Sequence, residues 1–180
     1  GIVGNGSVSP NYNGQALEVG KSYSMTANPG GGFAFSSWSG SLTTNKPTLS
    51  FVMASNLTFT ANFVDVQKPN VSISAPSSGQ RVTSSSLTAS GTASDNGYVA
   101  QVRVRLNAGA WQTATGTNNW QLVEALVPGQ NTLDAYALDG AGNASSTNSV
   151  SFTYVVTAPL VVGIVGNGSV SPNYNGQALE

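Results

Sequence analysis

The first eighteen residues of the chain, GIVGNGSVSPNYNGQALE from Gly1 to Glu18, return letter for letter from Gly163 to Glu180. The offset is 163 − 1 = 162 residues, and chance does not produce an identical match of that length. The chain therefore reads as one 162-residue unit followed by the opening of the next, as in a tandem array. Such arrays bury surface against their neighbours and extend along one dimension. Near-perfect copies suit a spacer, stalk or fibre better than a catalyst.

Charge is scarce. Lys, Arg, Asp and Glu make up 7% of the chain, with a net charge of −1, against about 25% in ordinary globular proteins. Nothing basic is available to hold a phosphate backbone or an anionic bilayer, so neither nucleic acid nor a membrane surface is expected as a partner. The apolar run from Ala158 to Val165 falls far short of the roughly 20 residues that span a bilayer, so no membrane insertion is expected in this segment. No signal peptide appears, which says nothing about export for a stretch from inside an array. There is no cysteine and no histidine. Disulfides, thiol chemistry, the usual general base and the usual zinc ligands are thereby removed together.

Period-two alternation dominates what remains. Tyr23, Met25 and Ala27 alternate with polar residues, as do Phe33 and Phe35, Leu49, Phe51 and Met53, and Leu57, Phe59, Ala61 and Phe63. Such alternation predicts half-buried antiparallel strands. Asn5-Gly6, Asn13-Gly14, Asn28-Pro29-Gly30 and Asn45-Lys46-Pro47 supply turns between them, the Asn-Gly pairs suiting two-residue hairpins. Residues 1–64 thus form a small antiparallel β module, with Val8 and Leu17 as core positions, and residues 65–69 (DVQKP) a linker. A second series follows over residues 70–156: Val71-Ile73-Ala75, Leu87-Ala89-Gly91, Val102-Val104-Leu106, Trp111, Trp120-Leu122, Leu133-Ala135-Ala137 and Val150-Phe152-Tyr154. Seven short strands at this spacing predict an immunoglobulin-like β-sandwich. Residues 157–162 read as a second linker and 163–180 as the start of the next copy. The fold class is all-β, repeated in tandem every 162 residues.

The second module resembles bacterial immunoglobulin-like domains of surface proteins. The resemblance is carried by Pro69 to Ile73, Ser90 to Asp95 (SGTASD), Val102 to Arg105 with Trp111 and Trp120, Gly129 to Leu133 (GQNTL) and Ala137 to Asn143 (ALDGAGN). The first resembles the divergent internalin B-type repeat through Gly4 to Pro10, Gly20, Tyr23, Ala27-Asn28-Pro29, Phe35 to Gly40 (FSSWSG) and Ala61-Asn62-Phe63. That family usually has glycine before the tryptophan; here Ser37 stands there. Both resemblances imply an extracellular, non-catalytic bacterial architecture.

No catalytic site is expected. Gly14 to Ser22 (GQALEVGKS) places five residues between its glycines where a phosphate loop needs four, and no helix follows to receive a phosphate. The carboxylates Glu18, Asp65, Asp95, Glu124, Asp134, Asp139 and Glu180 show no spacing that faces two across one cleft, as a glycosidase requires. A serine triad is excluded by the missing histidine.

Three candidate sites remain. Asp95, Asp139 and Asn143 lie in loops rich in oxygen ligands, which suits calcium at module junctions. The same side chains suit turn capping, and the count of oxygens favours that reading. Trp111 follows an Asn107-Ala108-Gly109 turn and is the best single candidate for stacking on a sugar, although packing is the commoner use of tryptophan. Gly163, Ile164, Val165, Val170, Tyr174 and Leu179 in the second copy are candidates for self-association, because an isolated hairpin is marginal in water. The expected function is a structural repeat unit of an extracellular bacterial filament, stalk or giant adhesin, secreted or at the cell surface, with other copies of itself as partners. The alternative is a carbohydrate-binding or adhesin ligand-binding module. No cofactor is expected other than a calcium ion.

Overall fold

Alternating apolar and polar side chains organise the first of two units, Gly1–Pro69 with the loops Asp95–Tyr98 and Asp139–Ala144. The computed structural model describes residues 1–179, so Glu180, the last residue of the repeated stretch, lies outside the described residues. Strands β1 (Ile2–Val3), β2 (Gly6–Ser9), β3 (Ser22–Pro29), β4 (Phe33–Gly40), β5 (Thr48–Val52) and β6 (Phe59–Asp65) form two three-stranded sheets, β1-β6-β4 and β2-β3-β5. Their inward rows make one core of Met25, Ala27, Trp38, Leu49, Phe51, Ala61 and Phe63, against which Val8, Tyr12 and Leu17 pack. The alternation slips between Phe35 and Ser37, where β4 is bulged against β6. A bulge shifts the phase by one residue, so Trp38 rather than Ser37 turns inward and is almost wholly buried. Its indole N–H donates to the Pro47 carbonyl at 3.0 Å.

Asn13-Gly14 sits in a turn as read, with Gly14 at φ 75° and Gln15 N–H bonded to the Tyr12 carbonyl at 3.0 Å. Asn5-Gly6 does not. Gly6 opens β2, and a Cβ there would overlap the ring of Phe63. Close approach, not a hairpin, requires that glycine.

The second unit comprises Asn70–Ser94, Val99–Leu138 and the residues from Ser145 onward. Its strands are β7 (Asn70–Ala75), β8 (Arg81–Val82), β9 (Ser86–Ser94), β10 (Val99–Leu106), β11 (Gln112–Thr113), β12 (Asn119–Ala125), β13 (Gly129–Asp139), β14 (Asn148–Tyr154), β15 (Ala158–Pro159) and β16 (Ala178–Leu179). A five-stranded sheet, β11-β10-β13-β14-β8, and a three-stranded sheet, β12-β9-β7, make the sandwich. Six of these match the expected series, and Trp111 stands immediately before β11 instead of within it. Arg81–Val82 is an addition, pairing parallel with Thr153 and Tyr154; two residues are too few to show a period. The core holds Val102, Val104, Leu133, Ala135, Phe152 and Trp120. Gly91 is the packing hinge of the smaller sheet, because a Cβ there would overlap the Ser72 carbonyl oxygen and the Trp120 ring. Among the described residues there is no helix long and apolar enough to cross a membrane.

Candidate functional site

Within the first unit, one carboxylate oxygen each from Asp65, Asp95 and Asp139 lies within 4.8 Å of the others. Asp65 ends β6, Asp139 ends β13, and Asp95 follows β9 directly. Strand ends place all three where loops begin. Two of them are the calcium candidates of the sequence; Asp65 falls in the stretch expected as a linker, and nothing in DVQKP signals a ligand. The third candidate, Asn143, is present but acts as a donor. Its Nδ2 gives bonds to Asp139 Oδ2 at 2.8 Å and to the Asp65 carbonyl at 3.1 Å.

Each aspartate also caps a turn. Asp139 Oδ1 accepts from the N–H groups of Ala141 at 2.9 Å and Asn143 at 2.7 Å. Asp95 Oδ2 accepts from Gly97 N–H at 2.9 Å, and Asp65 Oδ1 from Gln67 N–H at 2.9 Å. Asp139 is only 3% exposed. Burial alone would raise its pKa, but the Asn143 amide and the backbone N–H groups of Asn143, Ala141 and Gly142 outweigh burial and hold the carboxyl below its usual value. It is therefore ionised at neutral pH.

Capping leaves one buried oxygen over. Asp95 Oδ1 is buried and accepts no hydrogen bond. Two carboxylates this close repel by about 3 kcal/mol at an effective dielectric near 20, and the neutral donors named above only partly answer three of them. A hard divalent cation answers both problems. Oxygens at about 2.4 Å from a common calcium lie at most about 4.8 Å apart, the spacing found here.

Trp111 is half-buried and its ring is already engaged. Arg105 lies over it at 4.5 Å from the centroid, and Tyr136 meets it edge-on at 4.7 Å. Arg105 is held in turn by Asp134, Nε to Oδ2 at 2.8 Å. A sugar stacking on that face would have to displace the guanidinium. Trp38 and Trp120 are buried in the two cores.

The two copies of the repeated stretch stand in different surroundings. In the first, Ile2 and Val3 pair parallel with Ala61 and Asn62, and Gly6 to Ser9 pair with Pro29 to Thr26. In the second, the equivalents of β1 and β2 are not strands; Ala178–Leu179 pairs with Pro159 and Ala158, and Asn175 bridges Leu160. Ile164, Val165, Val170, Tyr174 and Leu179 are all exposed, Val165 fully. Gly163 meets nothing within 4 Å of where a Cβ would stand.

The all-β fold agrees with two family models. Residues 3–67 match the divergent InlB B-repeat domain, and residues 69–135 match the bacterial Ig domain. The chain carries a divergent InlB B-repeat domain followed by a bacterial Ig domain. No curated protein matches it. Among solved structures it is similar to the fibronectin(III)-like modules of Clostridium thermocellum CbhA, at 22% identity and TM-score 0.42, over 48% of this chain and 98% of that one. It is also similar to CopC from Methylosinus trichosporium OB3b, at 16% identity and TM-score 0.37, over 51% and 99%. The SrpA adhesin of Streptococcus sanguinis shows 17% identity and TM-score 0.39, over 61% and 72%. Likenesses this distant carry no argument about function.

Proposed function

We propose that the chain is a structural repeat unit of an extracellular bacterial filament, stalk or giant adhesin, assembling with further copies of itself. The observation that carries this reading is the identical return of Gly1 to Glu18 at Gly163 to Glu180. A pair of β modules recurring without change repeats a spacing, not a reaction. Two sheet-built cores supply resistance to extension, and a surface with 7% charged residues avoids repulsion between neighbouring copies. Calcium fits the same role: the Asp65, Asp95 and Asp139 carboxylates would hold it and tie the ends of three separate strands together. Immunogold labelling of intact, unpermeabilised cells tests the placement. Gold along extended structures outside the cell supports the reading, whereas label confined to the interior contradicts it.

The glycan-binding alternative rests on the partly exposed Trp111. Trp111→Ala removing binding on a glycan array would favour it; no binding at millimolar sugar counts against it.

A further inference from the structure

We propose that Asn96 is a self-modifying site: in the folded chain the Gly97 nitrogen attacks its side-chain amide, leaving aspartate or isoaspartate beside Asp65, Asp95 and Asp139. The proposal goes beyond the structural role and does not rest on it.

Asparagine is among the thermolabile residues, and a following glycine has no side chain to obstruct attack on the amide. The first unit holds three Asn-Gly pairs, at Asn5, Asn13 and Asn96, and the fold treats them differently. At Asn5-Gly6 both residues are gripped. The Asn5 carbonyl accepts from Gly30 N–H at 3.0 Å, and a Cβ on Gly30 would overlap the Asn5 amide. Gly6 lies in β2 against the Phe63 ring. Asn13-Gly14 is an exposed turn with Gly14 in open space, but among the described residues no carboxylate accepts from Gly14 N–H.

Asn96-Gly97 is also exposed, in the bend between β9 and β10, and here a base is in place. Gly97 N–H donates to Asp95 Oδ2 at 2.9 Å, inside the reach of about 2.6–3.2 Å that a general base needs. Asp95 Oδ1 accepts no hydrogen bond, so among the described residues this N–H is the donor that the carboxylate holds. The group that must leave, Asn96 Nδ2, is held by a long bond to Asp65 Oδ1 at 3.3 Å. A Cβ on Gly97 would meet Asp65 Oδ2 and Asp95 Oδ2, each at 3.5 Å, so the space around the glycine is open apart from these oxygens.

The Gly97 nitrogen gives its proton to Asp95 Oδ2 and bonds to Cγ of Asn96, closing a five-membered succinimide. The Cγ–Nδ2 bond breaks, and Nδ2 leaves as ammonia with the proton that Asp95 received. One water then opens the ring. Cleavage between the Gly97 nitrogen and Cγ gives aspartate, and cleavage between that nitrogen and the backbone carbonyl carbon of residue 96 gives isoaspartate. Either product takes the net charge from −1 to −1 − 1 = −2. It also removes the Nδ2 donor from Asp65 and sets a fourth carboxylate near three others, where like charges repel.

The test ages the full chain at neutral pH, folded in buffer and unfolded in urea, and reads each site by tryptic peptide mapping at mildly acidic pH. The peptide from Val82 to Arg103 holds Asn96 as its one asparagine, and the peptide from Gly1 to Lys21 holds Asn5 and Asn13. In urea the three pairs should convert at similar rates. In the folded chain Asn96 should convert about tenfold faster than Asn13, a small part of what a positioned general base supplies, and Asn5 should be slower than both. Asp95→Ser keeps an oxygen to cap Gly97 N–H but supplies no base, and should bring Asn96 down to the rate of Asn13. Continued protection of Asn5 in the same digest shows that this variant is folded; if that protection is lost, the comparison of folded and urea-unfolded native chain decides. The proposal is overturned if folded Asn96 converts no faster than Asn13, or no faster than Asn96 in urea. It is equally overturned if Asp95→Ser leaves the rate unchanged in a chain that still protects Asn5.

Discussion

Two buried carboxyls in this chain respond to pH in opposite directions. Asp139 is held below the usual carboxylate value, so it stabilises the fold fully above its unfolded pKa of about 4. That contribution is lost as pH falls through the lower folded pKa. Asp139→Asn should cost on the order of 1–3 kcal/mol at pH 7, the range for disrupting a buried, multiply bonded acceptor, and should flatten the acid limb of stability measured by urea unfolding. Glu124 is nearly buried and pushed upward by burial, with the Gln112 bond partly opposing. A raised acid favours the fold only while protonated, so its contribution disappears as pH climbs through the folded pKa. Glu124→Gln keeps an acceptor for Gln112 and removes that loss. The urea midpoint at pH 7 should rise, while below the unfolded pKa of about 4 it should not change.

Strand placement was readable because both sheets are half-buried, and half-burial writes itself as alternation. The rows through Met25, Ala27, Leu49 and Phe51 lie in the core as their period implies. Bulges were not readable: the slip at Phe35/Ser37 depends on pairing with β6, which local pattern does not record. Gly6 departs from the expected hairpin turn for a like reason, since its need for space comes from Phe63 in the other sheet of the unit. The site shows the same division. Asp95 and Asp139 stand out in turn-rich loops, whereas Asp65 reaches them only through tertiary folding. Gly91 gives a direct check on sheet packing. Gly91→Ala should destabilise the bacterial Ig domain by about 1–3 kcal/mol, the usual cost of overpacking, because the Ser72 carbonyl is backbone and has little freedom to retreat. Unchanged thermal unfolding would show that the smaller sheet yields instead.

For the whole molecule, the proposed structural role makes a claim on the aspartate cluster that a metal titration tests. Calcium at 100 times its dissociation constant should stabilise the first unit by about 2.7 kcal/mol. Its melting temperature should rise by several degrees on that account, and Asp95→Asn or Asp65→Asn should remove the rise; magnesium, which keeps its waters and demands a tighter octahedron, should do less. An equal response in the Asp95→Asn chain would show that calcium acts elsewhere. The central claim, that this chain is a unit of a repeating assembly, is tested most directly by electron microscopy of the native assembly. The account predicts filaments whose axial repeat matches one 162-residue unit; dispersed single particles, or filaments with an unrelated period, would contradict it.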